Sequence, residues 1–542
     1  VIVAAYHGNS GGHTESLHNV WGGSASSYPY LKGVPSPWGK VYHWGPKTFT
    51  RKQLEDIFNG RPESRIGTLY NIDLSDRTAS GRVRKAKLIG SEGTKEVWGF
   101  SQFAAWLGFR SSLIDAGADN WDQFVLLQNT NRVAAKVRLT FLSENGRKKV
   151  VKRRVPPNSR KTVSVDKLIW PGANALKISA DNPVVAERSV YFKHGNSGGG
   201  HSTVGARRPS RRWYFAGGQT GRNIDTWLVI ANPRTAPVTV TAIFMPGKGK
   251  RVIKRVRVGG NSRKSIRVKN ITGLRSKATP VVVKSPKPIM VERSSYFKFK
   301  RRAGGFASIG SNRLSKNWYF AEGFTGKGFE VRLFLFNPKK NSTKARVTIA
   351  KKNGQQVSRT YKIGSRRRRE IILNQMVSGT DFGIKVHAPT KIVAARTVYF
   401  NSSGRSGAHS TVGSPRVYKK WYFAEGHIDD RFDELIAIYN PTGYRAAITL
   451  TYRSENGAAA ITRTYSVNSK SRKTVTMGGA NGFGAGKSFS VELQSTRRVV
   501  AERVMYFDYG GNNGLETWTG GHVTMGAVKP SKLWYFAEGF NK

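Results

Sequence analysis

A unit of 103 to 113 residues occurs four times between about Asp115 and the C-terminus, and each copy closes on the same aromatic word: Trp213-Tyr214-Phe215, Trp318-Tyr319-Phe320, Trp421-Tyr422-Phe423 and Trp534-Tyr535-Phe536. A period that long specifies folded modules and rules out a low-complexity segment. It also tests the chain against itself, because a residue that changes freely between copies is a poor candidate for chemistry. Residues 1–112 have no counterpart in the repeats, so any chemistry falls to them.

The second constraint is charge. The chain has 91 Lys and Arg against 32 Asp and Glu, a formal net charge of +59, of which residues 1–110 hold only +6. The repeats therefore carry +53. An excess of that size exceeds what solubility requires and predicts binding to polyanions with a strong dependence on salt. No nucleic-acid motif accompanies the charge, so specific nucleic-acid recognition is not expected. Charge alone does not choose between nucleic acid and wall polymers bearing phosphate or carboxylate. The absence of cysteine excludes disulfides and thiolate chemistry. No apolar run reaches the length of a membrane span. The first residues, VIVAAYHGNSGG, read as mid-domain strand, so the natural N-terminus and a signal peptide are expected upstream.

Aligned on Asn129, Asn232, Asn337 and Asn440, the copies step by 103, 105 and 103 residues. An alternating apolar run follows each Asn (Val137-Leu139-Phe141, Val238-Val240, Val347-Ile349, Ile448-Leu450-Tyr452), the signature of a half-buried strand. Asn145-Gly146, Asn353-Gly354 and Asn456-Gly457 predict type I′ hairpin turns, with Pro246-Gly247 in the remaining copy. Beyond the second hairpin strand, Asn158-Ser159-Arg160, Asn261-Ser262-Arg263, Ser365-Arg366 and Ser471-Arg472 align, followed by an apolar run that ends in Tyr-Phe. About seven short strands per hundred residues without helical periodicity predict an Ig-like β-sandwich for each repeat. The expected architecture is mostly β: an α+β head at 1–112 and four tandem sandwiches at 113–217, 218–322, 323–425 and 426–542. Short linkers predict a semi-rigid rod.

The aromatic words recur in fixed register beside strands and are assigned to cores over a stacking platform for sugars or bases. Glu187-Arg188, Glu292-Arg293 and Glu502-Arg503 read as an acid–base pair, but the third copy has Ala395-Arg396, so a structural ion pair is expected. His201, His409 and His522 follow glycines, yet the second copy has Phe306, which argues for a conserved turn and against metal binding. Lys254, Arg255 and Arg257 flank Val256 and Val258 and are expected on the solvent face.

In the head, Thr50 with Gln53 forms a capping box before Leu54, Ile57 and Phe58, and Gly60 ends the helix. A second helix is predicted from Ser101 to Leu107, stopped by Gly108, with strands at Val1–Tyr6, Gly67–Asp73 and Arg82–Ile89. Several words stand here in order: Ala5-Tyr6-His7, Ser10-Gly11-Gly12-His13-Thr14-Glu15-Ser16, Val20-Trp21-Gly22, Pro29-Tyr30-Leu31, Pro35-Ser36-Pro37-Trp38, Lys47-Thr48-Phe49-Thr50, Ser80-Gly81-Arg82 and Leu107-Gly108-Phe109-Arg110-Ser111. This segment, about a fifth of the chain, resembles the SpoIID/LytB family of peptidoglycan enzymes. The repeats are similar to the Trp-Tyr-Phe-Ala-Glu-Gly modules found behind such domains in bacterial surface proteins.

The resemblance implies a lytic transglycosylase acting on peptidoglycan glycan strands, or an enhancer of the amidase that strips them, in the extracellular wall. Glycosidic cleavage needs a carboxylic acid to protonate the leaving oxygen. The family's acid resembles a Glu in a helix of the form Glu-x-Leu-Lys-Ala-Gln-Ala, and no such segment occurs in this chain. The catalytic residue is thus unassigned, with Glu15 as a weak candidate, and the expected substrate groove is His7, Ser10, Gly11, Gly12, His13, Thr14, Glu15 and Trp21. Some family members resemble zinc proteins with a His and two Cys in this region. Without cysteine, His7 and His13 (with His18 nearby) are weak zinc candidates, and no cofactor is expected. The rival reading is a non-catalytic structural or adhesive surface protein that binds anionic polymer.

Overall fold

The computed structural model describes residues 49–112 and 120–541, apart from 79, 195–196, 248–249, 300–301, 456, 479–482, 485 and 511–517, together with residues 16, 18, 19, 26 and 34. The protein is mostly β. It divides into two compact units, Val1–Ala118 and Asp119–Lys542.

In the first unit, helix α1 (Arg51–Asn59) starts where the sequence places it. The Thr50 side chain accepts from the Gln53 amide, and the Gln53 side chain accepts from the Thr50 amide at 2.8 Å. Phe58 is buried against Ile66, Leu88, Val97 and Phe103. Strands β1 (Leu69–Arg77), β2 (Val83–Gly90) and β3 (Gly93–Trp98) form an antiparallel meander. The short β3 lacks apolar alternation and was not foreseen. The predicted second helix is a π-helix, Gly99–Ala104. The strand expected at Val1–Tyr6 lies outside the described residues.

In the second unit each repeat is a curled seven- or eight-stranded antiparallel sheet built on one long strand: Gly172–His194, Val281–Phe299, Phe382–Ser402 and Lys487–Tyr509. In the second repeat the first half of the long strand pairs with Val238–Phe244, which in turn pairs with the outer strand Val252–Val258. The second half pairs with Ile224–Asn232 and with the inner strand Arg302–Ile309. Both halves contribute to one core, in which Val240, Phe244, Leu228, Ile230 and Val291 are all buried. The alignment asparagines hold the loops over that core. Asn129 Nδ2 donates to the carbonyls of Val133 (2.9 Å) and Pro156 (2.8 Å), and Asn232 Nδ2 donates to those of Ala236 and Gly259 (both 2.9 Å).

The aromatic word that closes a repeat in the sequence packs into the next repeat in space. Ser210–Phe215 pairs with the long strand of the second repeat, Ser315–Phe320 with that of the third and Tyr418–Phe423 with that of the fourth. The last word returns to the start: Ser531–Phe536 pairs with Gly172–His194 of the first repeat, with Trp534 opposite Ile178 and Phe536 opposite Leu176. The four repeats are therefore a closed ring, which corrects the expected rod. Closure by the final strand removes the exposed sheet edge that an open array would present.

The words are core, as their register predicts. Trp213, Trp318, Trp421 and Trp534 are each no more than 1% exposed, and each indole N–H donates to a main-chain carbonyl at 2.8–3.1 Å. The Tyr between them crosses to the neighbour: Tyr535 packs in the core of the second repeat and Tyr422 in that of the first. At the axis the inner strands abut through glycine. A Cβ on Gly520 would lie 3.2 Å from the Cα of Gly199, and one on Gly407 would lie 3.5 Å from the Cα of Gly520.

Two local readings change. At the hairpins, Gly146 and Gly354 have φ of +84° and +87°, but Asn145 and Asn353 are not left-handed, so these loops are not the two-residue type I′ turn. The loop is longer: the Ser143 amide donates to the Arg147 carbonyl at 2.9 Å. In the third repeat the equivalent of Ser159-Arg160 is Arg367-Arg368, two residues beyond the aligned Ser365-Arg366. The left-handed residue before it is Arg366, matching Asn158, Asn261 and Lys470.

Candidate functional site: a buried arginine ring and a cationic outer face

The groove predicted from the sequence, His7, Ser10, Gly11, Gly12, His13, Thr14, Glu15 and Trp21, lies outside the described residues. Among the described residues no group of three or more His, Cys, Asp or Glu is arranged to hold a metal ion. Among the described residues, two charged regions of the ring bear on function.

The first is internal. Arg188, Arg396 and Arg503 come from the Glu-Arg words of the first, third and fourth repeats and are fully buried. The ion pairs do not form within a word. Arg188 meets Glu292 of the next repeat at 3.0 Å and Glu538 of the Ala-Glu-Gly segment after the closing strand at 2.8 Å. Arg396 meets Glu502 (2.8 Å) and Glu322 (2.7 Å), and Arg503 meets Glu187 (2.8 Å) and Glu425 (2.5 Å). Each inter-repeat glutamate also accepts a main-chain amide: Ala537 to Glu292 at 3.0 Å, Ala424 to Glu187 at 2.7 Å and Glu322 to Glu502 at 3.2 Å. Burial pushes Glu425 up, but Arg503 and then His522 outweigh it and hold the carboxyl at about 2. Burial pulls the Arg503 guanidinium down, and Glu187 and Glu425 more than reverse it.

His201, His409 and His522 sit on inner strands opposite Val190, Val398 and Met505, not in turns, and Phe306 takes the matching place opposite Ser295. All three imidazoles are buried, and burial lowers them, His522 to about 3. They are neutral at physiological pH. Each lies by a phenylalanine of its own long strand: Phe192, Phe400 and Phe507.

The second region is the outer face. In the first repeat Lys136 stands directly opposite Arg154, and Arg138 opposite Lys152, all four exposed. In the third, Lys344 is opposite Lys362. In the second, Lys254, Arg255 and Arg257 are exposed as expected, and Arg212 is opposite Lys284. The fourth repeat differs, with Thr449 opposite Thr464 and Ala447 opposite Ser466. Like charges directly across a strand pair destabilise a sheet. Lysine on an edge strand also protects that edge, but Lys136, Arg138 and Lys344 lie on internal strands, where no edge needs protecting.

No curated protein matches the chain. Two solved structures show low similarity. One is titled "Crystal Structure of Thermotoga maritima 1070", with 17% identity and a TM-score of 0.19 over 19% of this chain and 96% of that one. The other is a tetra-tandem repeat in the extending region of a large adhesion protein, with 10% identity and a TM-score of 0.10 over 74% of this chain and 93% of that one. A family model does match, over residues 171–478, more than half of the 542 residues, from the long strand of the first repeat into the fourth. The chain belongs to that family, a family of unknown function (DUF5719).

Proposed function

We propose that this is a secreted cell-wall remodelling protein whose cationic ring grips anionic wall polymer and so holds a SpoIID-like, α+β head against peptidoglycan. One observation supports the gripping role above the rest. The ring accepts the cost of Lys136 facing Arg154 and Arg138 facing Lys152 on its solvent side, and a polyanion laid across those pairs relieves that repulsion. In this reading the head words resembling SpoIID/LytB supply the glycan groove, and each repeat is a β-sandwich of Ig-like kind. A second reading, a structural or adhesive surface protein without catalysis, draws on the interlocked inner ring, where the charged residues are committed to holding repeats together.

Co-sedimentation of the full chain with purified wall sacculi tests the gripping role, before and after chemical removal of their anionic polymer. The expected result is retention that disappears with the polymer and falls steeply as salt rises. Retention that survives both treatments overturns it. Mass spectrometry of amidase-stripped glycan strands separates the two readings: new anhydro-muramic ends support remodelling, and their absence leaves the structural role.

A further inference from the structure

The arginine ring has one member that meets no carboxylate among the described residues; its guanidinium lies over the Phe215 ring at 5.4 Å. Arg293, in the second repeat, occupies the position of Arg188, Arg396 and Arg503. Both carboxylates that would meet it are gone: the inter-repeat position is Ala395, and the segment after the aromatic strand reads Ala216-Gly217-Gly218 where the other copies have Ala-Glu-Gly. Arg293 is 3% exposed and, unlike Arg188, whose Nε and Nη1 also lack hydrogen bonds but which meets two glutamates, pairs with no acid among the described residues; its own Nε and Nη1 have no hydrogen-bond partner. The Thr279 hydroxyl, 1% exposed, is likewise unpartnered. These groups converge. A Cβ on Gly218 would lie 2.8 Å from Thr279 Oγ1 and 3.1 Å from Arg293 Nη1, and one on Gly217 would lie 3.0 Å from Arg293 Nη2.

We propose that this junction between the second and third repeats is a binding site for a small monovalent anion, a short carboxylate or a halide, taken from solution in place of the two glutamates that the other junctions supply. A buried guanidinium without a counter-charge is among the most costly arrangements in a protein interior. Burial, and then the charge of nearby Arg368, lower Arg293 to about 10, which leaves it cationic at neutral pH. Arg368 cannot serve as a counter-ion; it donates to the Gly218 carbonyl and to Glu370, both at 2.7 Å. The main-chain amides that reach a glutamate from Ala424 and Ala537 have their counterpart in Ala216, where no carboxylate arrives.

Size follows from Phe334. Opposite the inter-repeat glutamates of the other junctions stand Leu126, Val229 and Ala437; opposite Ala395 stands Phe334. Its ring would be 3.5 Å from a Cβ on Gly217 and takes part of the vacated volume. The proposed occupant is therefore small, and a phosphate polymer is excluded. Entry runs past Gly218, which is half-buried and borders exposed Gln219.

The test is thermal melting of the full chain in acetate or bromide at constant ionic strength, balanced with a bulky sulfonate. The comparison variant is Ala395→Glu with Phe334→Val, which installs the residues of the second repeat, and Arg293→Met gives the same readout should that pair fold poorly. Wild type is expected to gain roughly 1–3 °C with saturation, and both variants to lose that saturable gain. Anomalous scattering from bromide-soaked crystals is expected to place an ion beside Arg293, displaced when acetate is added if the site prefers a carboxylate and retained if it prefers a halide. An equal saturable gain in the variants, or no bromide beside Arg293, overturns the proposal.

Discussion

The ring carries two populations of positive charge that obey opposite rules. Inside, Arg188, Arg396 and Arg503 are buried, and each is matched by two carboxylates from other segments of the ring. Outside, Lys136, Arg138, Lys152 and Arg154 are exposed and face one another. A buried ion pair is weak evidence for net stability, because desolvation consumes most of the Coulombic gain, but it penalises every mismatched arrangement. Since each inner arginine reads one glutamate from the next repeat and one from the segment after the docked aromatic strand, the inner charges select which sheet meets which. The outer charges select nothing within the fold and are available to a partner.

The largest break in this comparison comes from opening the ring. Removal of residues 526–542 takes away the strand that completes the first repeat, with Trp534 and Phe536 from its core and Glu538 from Arg188. Loss of one such aromatic costs about 3–5 kcal/mol, and two with their strand approach the whole stability of a domain. The expected outcome is rapid proteolysis within residues 120–204 while the third repeat stays protected, with protection restored by a peptide of residues 526–541 added in trans. Uniform protection in the truncated chain would show that the closing strand is dispensable.

A smaller effect separates repeats that carry an axial histidine from the one that carries Phe306. Burial holds His522 at about 3, below its ordinary 6.5. With the folded value depressed, its contribution is complete above pH 6.5 and declines as pH falls toward 3, because the unfolded chain takes up the proton first. His522→Phe removes that decline. In urea titrations the variant is expected to gain on wild type by about 1.4 kcal/mol per pH unit below 6.5, and parallel pH profiles would show that His522 is not the group responsible.

Much of this was legible in the sequence, and the rest was hidden for a physical reason. The period, the capping box at Thr50 and the burial of the aromatic words follow from local pattern. Ring closure depends on pairing between residues 531–536 and 172–194, a contact that no window of local periodicity reports. A signal did exist. Four words serve four long strands, and once the first three each dock on the repeat that follows, the fourth word and the first long strand are left for each other. The arginine ring was half seen. The Glu-Arg words looked like pairs, but adjacent residues on a strand point to opposite faces, so Glu187 and Arg188 had to find partners in different neighbours. The loss of glutamate at both Gly217 and Ala395 was readable only once those positions were known to converge on Arg293. The predicted groove from His7 to Trp21 lies outside the described residues, so its reading still rests on the sequence words.

The smallest effect on the fold, and the sharpest on binding, is expected at the outer face. Lys136→Ala, Arg138→Thr, Lys152→Thr and Arg154→Ser together give the first repeat the neutral character of the fourth, where Thr449 faces Thr464 and Ala447 faces Ser466. Relief of two like-charge pairs is worth only a few tenths of a kcal/mol each, about 0.2–1 kcal/mol, so melting should hold steady or rise slightly. Affinity for anionic wall polymer should fall, and the slope of log affinity against log salt should become shallower by about 0.7–0.9 for each polymer charge no longer contacted. A variant that melts lower and binds unchanged would mean that these side chains serve the sheet and not a partner, and the division between inner and outer charge would fail at the residues that define it most clearly.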